Sequence, residues 1–386
     1  MIHRVLNKIK LLAVFALGAV MLPAQDIQLS MLEYELRIPE QTAQSELWAD
    51  LLQHDRQWYT SPEAIRIAEN ILLYQRNSGG WPKNIDYTET LSAVQKRELT
   101  DYADEPLATI DNGATYTQMR YLARVYAQTG DKRYCLAFLK GLDYLLKAQY
   151  ENGGWPQYYP LRKGYYSHIT YNDDAMIGVM RLLRDVAAGC DEYRFVDETR
   201  CFMAQKAVAK GIECILKTQV VVNGELTAWC AQHDVKTLKP ARGRAYELPS
   251  LSGKETVDII WFLMEIENPP PEIIAAIEGA ISWLQRVKIN GIRQKRVTSP
   301  KSPTGYDKII VNDPAAPPIW ARFYQIGTNR PFFSDRDGMM YFDLADISVE
   351  RRVEYGWLGY WPQELLEKFY PRWQARYVAN KRMPQK

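Results

Sequence analysis

Apolar positions along the chain return every three or four residues in several long stretches. Met176, Val179, Met180 and Leu183 show the spacing, which places them on one face of a helix. The same spacing predicts helices over about 112–128, 132–150, 173–188, 196–219, 253–267 and 271–287. Thr129-Gly130-Asp131 reads as a turn, and Pro269-Pro270-Pro271 as one helix stopping and another starting. Long alternating apolar–polar runs are missing, so strands are expected only as short pieces in loops. Beyond Lys288, the prolines at 300, 303, 314, 317 and 318 predict a less regular region.

The helical text repeats. Ile71-Leu72-Leu73-Tyr74-Gln75, Leu145-Leu146-Lys147-Ala148-Gln149, Ile215-Leu216-Lys217-Thr218-Gln219 and Ile281-Ser282-Trp283-Leu284-Gln285 are versions of one phrase. Their glutamines fall 74, 70 and 66 positions apart (75 to 149, 149 to 219, 219 to 285). Gly79-Gly80-Trp81-Pro82 and Gly153-Gly154-Trp155-Pro156 follow the first two, and Trp229 lies 74 residues beyond Trp155 without the glycines. Such a period marks repeated helix pairs. The expected fold is all-α: an α/α toroid, a partial ring of helical hairpins, with an irregular C-terminal cap over its cleft. The glycine–tryptophan loops would gather at one end of the ring.

Composition narrows the function. The 386 residues carry 48 basic and 46 acidic side chains, a net charge of +2, which argues against a dedicated nucleic-acid binder. Tyrosine (25) and tryptophan (11) suit either a sugar-binding surface or an ordinary core. Arg4, Lys8 and Lys10 precede an apolar run from Leu11 to Leu22 that ends in Pro23-Ala24-Gln25. That is the plan of a secretory signal, too short for a comfortable membrane span. Residues 1–24 are therefore expected to be a signal peptide, and 25–386 a single exported domain, periplasmic or secreted. None of the five cysteines forms a C-x-x-C pair, which disfavours structural zinc.

Three polar clusters stand out. Thr109-Ile110-Asp111-Asn112-Gly113 and Tyr171-Asn172-Asp173-Asp174 both precede predicted inner helices. Each on its own reads as a helix N-cap. Together they place hard oxygen donors at equivalent corners of a ring, which suits Ca²⁺. The third runs from Trp229 through His233 and Asp234 to Arg242, Arg244 and Glu247. His233 is either a structural residue or a substrate contact, and the arginines are either surface charges or carboxylate grips. In the tail, arginine and aromatic residues alternate through Arg322, Tyr324, Arg330 and Arg336. Base stacking with phosphate contact is one reading; with an export signal and near-neutral charge, an acidic sugar chain fits better.

At these residues the chain resembles polysaccharide lyase family 10, the pectate lyases with an α/α toroid. The motifs that carry the resemblance are Gly153-Gly154-Trp155-Pro156-Gln157, Asn172-Asp173-Asp174-Ala175-Met176, Arg244-Ala245-Tyr246-Glu247, Ser250-Leu251-Ser252-Gly253 and Arg336-Asp337-Gly338. The resemblance implies Ca²⁺-dependent anti β-elimination on α-1,4-linked polygalacturonate; the sequence gives no warrant for an oligomer, so a monomer is expected. It implies Asp111 and Asp173 as metal ligands, with Asn112 and Asn172 beside them. It implies Arg244 as the base for the C5 proton and Arg322 and Arg336 on substrate; Tyr324, Trp155 and His233 join them as candidate substrate contacts. Lys254-Glu255 reads as a departure of little consequence. An arginine is a poor base at its ordinary pKa, so an alkaline optimum is expected. Competing functions remain: a glycoside hydrolase using Asp173 with Asp234 or Glu247, another uronate lyase on an α/α toroid, and a non-catalytic pectin-binding protein.

Overall fold

A computed structural model describes residues 48–378 apart from 49, 301 and 303; the signal segment lies outside the described residues. Eight helices carry the architecture: α1 (Pro62–Tyr74), α2 (Ala93–Asp101), α3 (Tyr116–Thr129), α4 (Lys132–Ala148), α5 (Ala175–Ala187), α6 (Glu198–Thr218), α7 (Glu255–Met264) and α8 (Pro271–Arg286). Three outer helices start on side chains that answer their open N–H groups: Ser61 for α1, Asp131 for α4 and Asp197 for α6. α3 ends at Gly130 in the left-handed region (φ 69°).

The pairs α3–α4, α5–α6 and α7–α8 pack as hairpins, and successive hairpins stack. α3, α5 and α7 form an inner layer; α1, α4, α6 and α8 form an outer one. Burial follows the sequence. α5 is buried without a break from Ala175 to Leu183, as an interior helix must be. α6 buries only a stripe, from Ala204 through Val208 and Ile212 to Ile215. This is the expected α/α toroid, with no strand layer among the described residues.

The repeated phrase consists of bolts. The indole N–H of Trp81 donates to Ile71 O (2.7 Å), that of Trp155 to Leu145 O (2.8 Å) and that of Trp229 to Ile215 O (2.8 Å). A fourth, Trp320, donates to Leu284 O (2.8 Å), a repeat the sequence hides inside the tail. The glutamines join neighbouring hairpins. Gln75 Nε2 reaches Ala137 O on α4, Gln149 Nε2 reaches Ala207 O on α6, and Gln219 Nε2 reaches Ala276 O on α8, at 2.8–2.9 Å. Each also holds a carbonyl of its own following loop. Glycine is required at 153: φ is +91°, and a Cβ would run into the Lys210 carbonyl.

The region after Lys288 departs from expectation in one respect. Ile292–Thr298 and Tyr306–Asn312 pair as a seven-residue antiparallel hairpin, longer than any strand anticipated. Neither strand has a fully buried face, so the apolar alternation that would reveal it is missing. The tail is also more than a cap. Phe323–Tyr324 pairs with Leu251–Ser252, and the Arg322 carbonyl accepts from Gly253 N–H (3.0 Å), fastening the tail to the start of α7. None of the five cysteines is in a disulfide. Among the described residues no helix is long and apolar enough to cross a membrane.

Candidate active site

Two short 3₁₀ turns, Asp111–Gly113 before α3 and Asn172–Asp174 before α5, pack against each other. Asn112 (φ 52°), Asp173 (φ 50°) and Asp174 (φ 60°) take left-handed conformations there. Such backbone is strained for non-glycine residues and collects at functional sites. The capping explanation fails at both turns: neither α3 nor α5 has a side-chain cap.

Asp173 sits in a ring of charges. Its Oδ1 accepts from Lys254 Nζ (2.8 Å) and Arg322 Nη2 (3.1 Å). Arg322 Nη2 also donates to Asn172 Oδ1 (3.0 Å) and Glu255 Oε1 (2.5 Å), and Ser252 donates to the other Glu255 oxygen. Asn172 Nδ2 holds Asp173 Oδ2 (2.6 Å). Burial alone would raise the Asp173 pKa, but Lys254 and Arg322 pull it well below the usual carboxylate range. Lys254-Glu255 is thus central to the site, and the reading of it as inconsequential is corrected. A lysine and glutamate opening a helix look like ordinary terminal charges in sequence; their burial, 5% and 1% exposed, sets them apart.

Asp111 has different company. Lys83 pairs with its Oδ2, while Oδ1 is buried without a hydrogen-bond partner. Asn112 is turned to Asn84 (3.1 Å).

Arg244 lies across from these turns on the loop before α7. Glu247 accepts from its backbone N–H (2.7 Å) and from Nη1 (3.4 Å), and the same Nη1 meets the Tyr246 hydroxyl (3.4 Å). Tyr355 connects the two halves. Its hydroxyl donates to Glu247 (3.0 Å), and the Arg322 guanidinium lies 4.7 Å from its ring centre. Burial favours the neutral form of Arg244, but Glu247 and the phenols of Tyr246, Tyr355 and Tyr165 outweigh it, so the pKa is raised. Sequence reasoning missed Lys83, Tyr165 and Tyr355.

Three proposed substrate contacts are buried inside the protein. Trp155 is fully buried as a hairpin bolt. Tyr324 is fully buried, donating to Val287 O (2.9 Å) and accepting from Ala321 N–H (2.8 Å). His233 is fully buried between Cys230 N–H, which donates to Nε2 (3.1 Å), and Leu238 O, which accepts from Nδ1 (2.9 Å). Burial lowers its pKa to about 4, leaving a neutral ring that braces the loop leading to Arg244. Arg322 is 4% exposed and locked into the Asp173 ring. Arg336 is exposed, paired with Glu350 (3.2 Å), and its turn rests at Gly338 against Arg242 and Ala245.

The donors suit a hard cation in part. The orphaned Asp111 oxygen is a buried acceptor awaiting a partner, and the neighbouring turn carries Asp173. Calcium takes six to eight oxygens. Among the described residues no three acids, histidines or cysteines gather as a cage, so backbone, water or a ligand's own carboxylates would complete the shell.

Solved structures match this fold. A point mutant of a family 10 polysaccharide lyase from Cellvibrio cellulosa, in complex with trigalacturonic acid, superposes with a TM-score of 0.72 at 33% identity, covering 89% of this chain and all of that one. Another structure of a family 10 polysaccharide lyase from Cellvibrio cellulosa gives 0.69 at 34%, covering 86% and 97%. No curated protein matches. The fold is that of a polysaccharide lyase. The pectic acid lyase family model matches residues 75–366, and the chain belongs to that family.

Proposed function

We propose that the chain cleaves α-1,4-linked polygalacturonate by calcium-dependent anti β-elimination, with Arg244 as the base. One observation carries the reading: Arg244 and the Asp111 and Asp173 turns are joined through Tyr355 and Arg322, so a proton acceptor and a carboxylate-stabilising group share one site. The complex of trigalacturonic acid with a family 10 relative supports the substrate class.

The elimination takes the C5 proton to Arg244, forms a C4–C5 double bond and expels the C4 oxygen, which gains its proton from water. Negative charge develops toward the C5 carboxylate as the proton leaves. Calcium held by Asp111 and Asp173, with Asn112 and Asn172 nearby, would supply positive charge to that carboxylate. Lys254 and Arg322 keep Asp173 ionised and in place. Glu247 orients Arg244, and Tyr355 orients Glu247. Because Arg244 rests protonated, its neutral form is a minor species that grows with pH; kcat/KM should climb through the alkaline range.

The hydrolase alternative has less to stand on. Asp173 is held ionised by its cations, half-buried Asp234 is held ionised by Thr237 and Lys236, and Glu247 is engaged by Arg244 and Tyr355. A glycosidase needs one acid kept protonated. The basic–apolar N-terminal segment supports export of the enzyme to where pectic polymers lie. The test is product chemistry: polygalacturonate should yield chains with unsaturated, ultraviolet-absorbing ends, and saturated products alone would refute the reading.

A further inference from the structure

Residues 157–168 link the two halves of the site. At one end the Gln157 carbonyl accepts from Ile110 N–H (3.1 Å) and the Thr109 hydroxyl (2.6 Å), beside Asp111. Gln157 N–H donates to Tyr166 O (3.0 Å), folding the loop onto itself. At the other end the Tyr165 phenol lies against Arg244, whose charge acts on it. Arg162 stands exposed between these ends. Its guanidinium lies 4.5 Å from the Tyr158 ring centre and 5.3 Å from that of Tyr166, and these two rings meet edge-on at 5.3 Å.

Four cations of the site face acids. Lys83 has Asp111, Lys254 has Asp173, Arg322 has Asp173 and Glu255, and Arg244 has Glu247. Arg162 has no carboxylate within ion-pair distance among the described residues. A guanidinium laid on two aromatic faces keeps its N–H edge outward and gives up part of its rotamer freedom in advance. That is a receptor for a carboxylate gripped through two parallel hydrogen bonds.

We propose that Arg162, on its Tyr158–Tyr166 platform, is a binding subsite for the carboxylate of a uronate neighbouring the one cleaved, selecting an unesterified sugar there. This rests on the proposed function. The test compares the wild-type enzyme with Arg162→Ala, Arg162→Lys and, as a control on the same exposed loop, Lys163→Ala. KM on polygalacturonate should rise about tenfold in Arg162→Ala, less in Arg162→Lys, and stay put in Lys163→Ala. Calorimetry with trigalacturonic acid and its methyl ester provides the second arm: Arg162→Ala should lose about tenfold in affinity for the acid and none for the ester. Equal KM in wild type and Arg162→Ala, or equal losses for acid and ester, would overturn the subsite. A wild-type enzyme that forms no unsaturated product would refute the proposed function instead, and the calorimetric arm would then decide on Arg162 by itself.

Discussion

The Asp111 and Asp173 turns are one backbone device used twice, at corresponding corners of the ring, with different surroundings. Both are 3₁₀ turns broken by a left-handed residue ahead of an inner helix. Asp173 is enclosed by Lys254, Arg322 and Asn172, while Asp111 has Lys83 on one oxygen and nothing on the other. The repeat supplies the same corner each time; residues from distant parts of the chain decide what each corner does. On this account Asp173 anchors the site, and Asp111 offers it an open ligand.

The largest expected effect separates both corners from the loop that faces them. Arg244→Ala should cut kcat by about 10²–10⁴-fold, the range for losing a general base, without moving the thermal midpoint; product absorbance and a melting curve check this. Next comes a stability difference between the corners. Asp173→Ala removes the carboxylate that pairs with both buried Lys254 and buried Arg322, and should cost about 3–5 kcal/mol in denaturant unfolding. Asp111→Ala should cost less, because Lys83 can turn partly to water. Equal costs would break the comparison.

A third effect concerns the brace behind Arg244. His233 is neutral in the fold, and its pKa falls from 6.5 to about 4. An unfolded chain takes up the proton first, so stability is whole above pH 6.5 and declines as pH falls toward 4. The contribution is about 3 kcal/mol, and His233→Gln should flatten that part of the pH–stability curve. The smallest effect is a shift in a profile. Glu247 raises the Arg244 pKa, so Glu247→Gln should move the alkaline limb of the pH–rate curve to lower pH, by about one unit.

The sequence exposed the ring because each helix pair must bury an apolar stripe, and that stripe has a period. It marked Asp111, Asp173 and Arg244 as candidates because they lie in short polar phrases at regular places. It misread Trp155, since a tryptophan after two glycines reads alike whether its ring faces a sugar or the Leu145 carbonyl. Lys254, Glu255 and Lys83 were hidden because charge near a helix start is ordinary until burial is known. Tyr355 was hidden because its partner Glu247 is 108 residues away, and nothing local marks the contact.

The most direct measurement follows unsaturated product from polygalacturonate with and without a calcium chelator, in the wild-type enzyme and in Asp111→Ala. The account predicts that chelation abolishes wild-type absorbance, that excess calcium restores it, and that Asp111→Ala stays inactive at calcium levels that saturate the wild type. Absorbance indifferent to the chelator, or an Asp111→Ala enzyme with the calcium response of the wild type, would contradict it.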